Sequence, residues 1–291
     1  MLRRPALILL VLVACSGEPA VTTTTSPPQP PVTTTSPPSS VPTTQVELPH
    51  LLTSTSLAGG LPVDIYGPDS TTDGPVAVLF HGGGWFGGDP STMAPLASAL
   101  AEQGMVAVNT TYRTSSGGYP ESFEDVACAV RWAATEAGNY TTNPVPPLIV
   151  AHSAGAQLAS VVALAGDEFT GDCPLQGSAL PSAFVGLAGP YDVTKFTLVL
   201  ASYFGTRFEV DPAPWEAGNA FTYLGGNPDL RVLLIHGEAD ELVPPEFSRQ
   251  LAEALTGGGY AVTLEVLPGA DHAAVRRPEV VGDLIANFTQ P

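Results

Sequence analysis

From about Val46 onward, short apolar runs alternate with longer segments of helical period, and this alternation constrains the fold more than any other feature of the chain. Val76–His81, Val106–Thr110, Leu148–His152, Ala183–Ala188, Val232–His236 and Val262–Leu267 have the length and residue types of strands. Between them, Thr92–Gln103, Ser122–Ala137, Ala154–Ala165, Pro245–Thr256 and Pro278–Phe288 read as helices. Within the second helix Phe123, Val126, Ala127, Val130, Ala134 and Ala137 follow i, i+3, i+4, i+7 spacing, which gives one apolar face. Such alternation predicts an α/β fold, a mostly parallel sheet covered by helices on both faces. Sheets of this kind bind ligands beyond the carboxyl ends of their strands, so the residues just after each run carry the most information.

Ala151-His152-Ser153-Ala154-Gly155 joins the run Leu148–His152 to a helical stretch. A serine on a sharp strand-to-helix turn exposes its hydroxyl above the sheet, and small residues on either side let the helix pack close to the strand. Ala151 stands where glycine is more usual, a difference of one methyl group. The plain alternative is that Ser153 only caps the helix. His81-Gly82-Gly83-Gly84-Trp85 follows another run, and successive glycines allow backbone N–H groups to converge on a developing oxyanion. Gly83, Gly84 and Ala154 are the candidate donors. Phosphate binding is the competing use of a glycine-rich loop, but the sole lysine is Lys195 and neither phosphate-loop pattern is present.

A serine nucleophile needs a base, and the base needs an orienting carboxylate. Of the histidines, only His236 and His272 follow Ser153 in the chain. His236 comes directly off its strand with no acid at an earlier strand end, which leaves His272, in Pro268-Gly269-Ala270-Asp271-His272, as the base. Asp240, in the loop after the preceding strand, is the candidate acid. Glu238 and Glu241 are its rivals, and Asp271 is too close to His272 in sequence to reach back to the ring.

Together HGGGW, AHSAGAQLA, HGEADELVP and GADHAAV resemble the α/β-hydrolase esterases of the HGGG-bearing carboxylesterase and lipase group, near the hormone-sensitive-lipase-like and BD-FAE-type enzymes. The resemblance runs from about Val46 to the C-terminus and includes Tyr112-Arg113 and Phe123-Glu124-Asp125-Val126, which read as structural support for the site. It implies the α/β-hydrolase fold, a Ser153–Asp240–His272 triad, an oxyanion hole of Gly83, Gly84 and Ala154, and hydrolysis of small-molecule or lipid-like esters with short or medium acyl chains. An arylformamidase- or peptidase-like hydrolase of the same fold is the first alternative, and a non-catalytic binding protein the second. Between Pro49 and Val76 there is too little chain for a helical N-terminal cap. The longest insertion, Gly189–Leu230, is aromatic-rich and reads either as a cover over the pocket or, for most of its rings, as core packing. Trp85 and His152 are candidate pocket residues, with His152 better suited to supporting the serine turn than to reacting.

Upstream of this region the composition changes. Residues 1–14 combine Arg3 and Arg4 with an apolar run too short to span a bilayer, the order of a secretory leader. Leu12-Val13-Ala14-Cys15 resembles a bacterial lipobox, which implies lipidation of Cys15 and attachment to the extracytoplasmic side of the cell membrane; plain secretion is the alternative. Residues 15–45, mostly Thr, Pro and Ser, read as an extended linker ahead of a domain spanning 46–291. With 10 Lys+Arg against 28 Asp+Glu the formal charge is −18, so nucleic acid is not an expected partner and membrane contact is expected through lipid alone. Cys128 and Cys173 are an even pair in an exported domain, open to a disulfide or to two core thiols. No metal-ligand spacing appears, and no cofactor is expected.

Overall fold

The computed structural model describes residues 50–57, 59–143 and 146–290. The leader, Cys15 and the Thr/Pro/Ser segment lie outside the described residues. The domain is built on one eight-stranded sheet: β1 (Leu51–Ser56), β2 (Pro62–Tyr66), β3 (Val76–Phe80), β4 (Val106–Thr110), β5 (Leu148–His152), β6 (Ala183–Leu187), β7 (Arg231–Gly237) and β8 (Ala261–Leu267). Their spatial order is β1-β2-β4-β3-β5-β6-β7-β8. β3 through β8 pair in parallel, while β2 is antiparallel to both β1 and β4.

The α-helices are α1 (Ala94–Glu102), α2 (Glu121–Glu136), α3 (Ala154–Ala165), the short α4 (Thr197–Leu200) and α5 (Ala213–Ala217), α6 (Glu246–Gly257) and α7 (Pro278–Thr289). Strand side chains alternate between two cores because successive Cβ atoms point to opposite faces. Val76, Val78, Phe80, Ile149, Phe184 and Leu234 join the core under α2, α3 and α6. Ala77, Leu79, Val150, Val185, Leu233 and Ile235 join the core under α1 and α7. All five residues of β3, β4, β5 and β6 are therefore buried, the expected state of a strand covered on both sides. In α6 the buried positions Ser248, Leu251, Ala252 and Leu255 follow the i, i+3, i+4, i+7 stripe of a helix lying on a sheet.

The six strands expected from the sequence form within one residue of their anticipated ends. β1 and β2 are additions to that reading. β1, LLTSTS, is an exposed edge strand with no buried face to leave a periodic signal. In β2 only Val63, Ile65 and the terminal Tyr66 are buried. Cys128 on α2 and Cys173 form a disulfide, S–S 2.06 Å, across 45 positions of sequence. The insertion Gly189–Leu230 packs mainly as core: Tyr191, Tyr203, Phe204 and Trp215 are buried, and the Phe204 and Trp215 rings lie 4.5 Å apart.

Candidate active site

Ser153 sits between β5 and α3 at φ 55° and ψ −125°, a backbone conformation uncommon for a residue with a Cβ. The turn is held because the Ser153 N–H donates to the Leu187 carbonyl at 2.8 Å at the end of β6. Small neighbours are required on both sides. A Cβ on Gly155 would strike the His81 carbonyl, and one on Gly82 would lie 2.7 Å from the Ser153 Cβ. The glycine loop and the serine turn thus meet with no room for a further carbon on either glycine.

His272, in the loop after β8, closes the relay. Its Nε2 is 2.9 Å from Ser153 Oγ, and its Nδ1 is 2.7 Å from Asp240 Oδ2. A carboxylate only accepts, so Nδ1 carries the proton and Nε2 faces the serine hydroxyl as an acceptor. Asp240 is buried in the loop after β7, where its other oxygen accepts from the N–H groups of Leu242 at 3.0 Å and Val243 at 2.8 Å. These two N–H groups fix the carboxylate with its second oxygen aimed at His272. The rivals Glu238 and Glu241 are exposed and do not take this place.

Two further histidines flank the relay. The His152 Nε2–H donates to the His272 carbonyl at 2.9 Å, and the two rings are centred 4.7 Å apart. Burial, reinforced by the neighbouring His272, pushes the His152 imidazole down to about 3, so it is neutral at ordinary pH. His236 is fully buried, with Nε2 3.3 Å from Asp240 Oδ2 and 2.7 Å from the Val243 carbonyl. Burial lowers its basicity as well. Both residues therefore brace the relay without adding charge. His152, expected beside the serine turn, bonds to the loop that carries His272, and nothing in the sequence marks His236 as a neighbour of the acid.

On the opposite side of Ser153, Gly82, Gly83, Gly84 and Trp85 wall a cavity of about 570 Å³ that also contains His152, Ser153 and His272. No hydrogen bond is found for the Gly83 and Gly84 N–H groups among the described residues. Ala154 opens α3, where the first N–H groups have no intrahelical acceptor. The loop is anchored from behind. His81 Nδ1–H donates to the Gly82 carbonyl at 2.6 Å, and the Tyr112 hydroxyl donates to the His81 carbonyl at 2.9 Å. Arg113 grips Asp125 of α2 through Nε at 2.8 Å and Nη2 at 2.9 Å, which gives the Tyr112-Arg113 and Asp125 pattern its structural meaning.

Trp85 is both wall and anchor, with its indole N–H donating to Gln157 Oε1 at 2.8 Å. Gln157 in turn donates to the Gly218 carbonyl at 2.8 Å, which ties the insertion to the glycine loop. Phe196, Val199, Leu242 and Arg276 are also among the lining residues, and of these only Leu242 falls within a motif, the HGEADELVP stretch. Arg276 bridges two loops by donating to the Thr92 carbonyl at 2.9 Å. Among the described residues, no group of three or more His, Cys, Asp or Glu side chains converges to hold a metal ion.

Comparison with known proteins agrees with this arrangement. Esterase LipQ of Mycobacterium tuberculosis is 28% identical over 231 residues, which cover 74% of this chain and 54% of LipQ. Carboxylesterase NlhH of the same species is 33% identical over 106 residues, 35% of this chain and 33% of NlhH. The probable carboxylic ester hydrolase LipM, also from that species, is 29% identical over 71% of this chain and 51% of its own length, so the chain spans about half the length of the curated relatives that it matches most extensively. Among solved structures, esterase Est2 of Thermogutta terrifontis, butyrate-bound, superposes with TM-score 0.68 at 21% identity over 83% of this chain and 95% of that one. A truncated carbohydrate esterase from gut microbiota superposes with TM-score 0.70 at 20% identity, covering 82% and 96%. At those identities the likeness is one of fold. Residues 63–255, most of the described domain, match the family model BD-FAE, and the chain therefore belongs to the BD-FAE family of α/β-hydrolase-fold proteins.

Proposed function

We propose that this protein is a serine hydrolase of carboxylic esters, with Ser153 as nucleophile, His272 as general base and Asp240 as its orienting acid. The observation that carries the reading is the continuous relay from Asp240 through His272 to Ser153, with contacts of 2.7 and 2.9 Å, opening into a cavity. Ser153 Oγ attacks the ester carbonyl carbon as its proton passes to His272 Nε2. The carbonyl oxygen becomes an oxyanion facing the N–H groups of Gly83, Gly84 and Ala154. When the C–O bond breaks, His272 returns the proton to the departing alcohol. Water, activated by the same imidazole, then cleaves the acyl-serine and releases the acid. Asp240 keeps Nδ1 protonated and stabilises the imidazolium. The cavity volume suits esters of short or medium acyl chains.

The LVAC sequence ending at Cys15 supports an extracytoplasmic, lipid-anchored location, with secretion as the alternative. Turnover of p-nitrophenyl esters of graded chain length, with formanilides and dipeptide anilides in parallel, tests the activity. Wild type is expected to cleave the esters and to react with a fluorophosphonate, and Ser153→Ala to do neither. A wild type as inert as the variant, and unlabelled, rules the reading out. Retention of a Cys15→Ala chain in the detergent phase during phase partitioning would remove the lipid-anchor claim.

A further inference from the structure

We propose that Leu198, Val199 and Leu242 form an apolar rim by which this enzyme docks on the surface of a water-insoluble, uncharged lipid ester, so that its substrates include esters presented at a lipid–water interface. The substrate part of this inference rests on the ester-hydrolase reading above. Leu198 is 93% exposed, Val199 55% and Leu242 70%, and Val199 and Leu242 line the same cavity as Ser153 and His272. Scattered exposed apolar side chains need no explanation, but two that line a reactive cavity, with Leu198 next in the chain to one of them, do.

Their exposure is built in. On α4, Leu200 is buried in the core and Phe196, just before the helix, stacks on Phe247 at 5.3 Å, which fixes the turn with Leu198 and Val199 outward. Leu242 is held by its own N–H, which donates at 3.0 Å to the Asp240 carboxylate. The turn that locks the acid is thus the turn that holds Leu242 in solvent.

The chemistry of the rim selects its occupant. Its three side chains are aliphatic, with no hydrogen-bonding group, and the Trp, Tyr and Arg anchors that dominate protein–protein contacts are not among them. Aliphatic side chains of this kind insert into the boundary of a lipid phase. Exposed Glu241 beside Leu242 and a formal charge of −18 disfavour an anionic surface, so the phase is an uncharged one.

The test uses residues 15–291 with Cys15→Ser, so that neither the apolar leader nor acylation can contribute, and with Ser153→Ala for binding. Flotation with triolein droplets should recover the protein, and Leu198→Asp and Leu242→Asp should each weaken partitioning by about tenfold or more, the scale of losing one buried leucine. Leu51→Asp, on edge strand β1, serves as the comparison and should leave partitioning as it is. With Ser153 intact, turnover of tributyrin should rise steeply above its solubility limit, and Leu198→Asp should lower the ratio of emulsion to p-nitrophenyl acetate turnover at least fivefold. Circular dichroism melts confirm that each variant is folded. Unchanged droplet partitioning in both rim variants overturns the proposal. So does a loss of partitioning that sedimentation traces to dissociation of a dimer of this chain, or recovery on phosphatidylglycerol vesicles in preference to triolein. If wild type fails to cleave soluble p-nitrophenyl acetate while the Ser153→Ala chain still floats with triolein, docking stands and the ester-hydrolase reading falls.

Discussion

Gly82→Ala is the sharpest single perturbation of the site, because the structure sets both its direction and its size. A Cβ at position 82 would lie 2.7 Å from the Ser153 Cβ and 2.9 Å from His152 Nδ1. Ordinary carbon contacts are at about 3.5–4.0 Å, so the glycine loop and the serine turn must separate by about 1 Å. Neither neighbour is a flexible chain end, since Ser153 is tethered through its N–H to Leu187 and His152 through its ring to the His272 carbonyl. A misplacement of about 1 Å at a reacting centre costs on the order of 10² in rate, close to 2.7 kcal/mol of activation free energy. The expected result is a kcat on p-nitrophenyl butyrate about 10²-fold below wild type, with a smaller change in KM and a melting temperature within a few degrees. Gly87→Ala is the matched comparison: a Cβ there meets nothing within 4 Å, and kcat should stay near wild type. A Gly82→Ala enzyme within about threefold of wild-type kcat would refute the claim that this close apposition sets the geometry of the site.

Other outcomes follow from the same structure. Asp240→Asn should leave the fold intact and lower kcat by about 10⁴, since an amide can present a donor to Nδ1 and reverse the tautomer; steady-state kinetics with a melt on the same sample checks this. Burial holds His152 down at about 3, and lowers His81 and His236, so between about pH 6.5 and pH 3 the unfolded chain binds more protons than the folded one and stability falls as pH drops through that window. Urea unfolding at pH 7.5 and 4.5 should show the loss, and His152→Asn should reduce it by about a few kcal/mol. Removing the Cys128–Cys173 bridge by Cys173→Ala, or by reductant, should lower unfolding free energy by up to about 4 kcal/mol, the chain-entropy value for closing a loop of 45 residues, read as a reduced urea midpoint.

The six parallel strands and the three relay residues are legible for the same reason: parallel strands buried on both faces leave continuous apolar runs, and the residues just beyond them fall at one end of the sheet. Ser153, Asp240 and His272 each follow such a run, and chain order sets His272 apart from the histidines before Ser153, whereas burial in the fold is what parts Asp240 from Glu238 and Glu241. β1 was silent because an exposed edge of Leu, Thr and Ser has no core face to impose a pattern. β2 had alternating Val63 and Ile65, but two positions after a proline are too few to read. The cavity wall was the least legible part. Phe196, Leu242 and Arg276 come together only because loops after β6, β7 and β8 converge, and no local spacing encodes that meeting. The role of Gln157 is equally hidden: within α3 it is one more helical residue, until its amide is found joining Trp85 to Gly218.

The close meeting of the glycine loop and the serine turn also divides the site into a part that can diversify and a part that cannot. Around Ser153 the fit is made by the missing Cβ atoms of Gly82 and Gly155 against the Ser153 Cβ, the His152 ring and the His81 carbonyl, which leaves little for compensating substitutions to act on. On the far side, Val199 and Leu242 face solvent from short, well-anchored turns and can change identity without disturbing the core. New substrate preferences in descendants of this chain should therefore arise by substitution along α4 and the loop after β7, while the chemistry stays fixed around these two glycines.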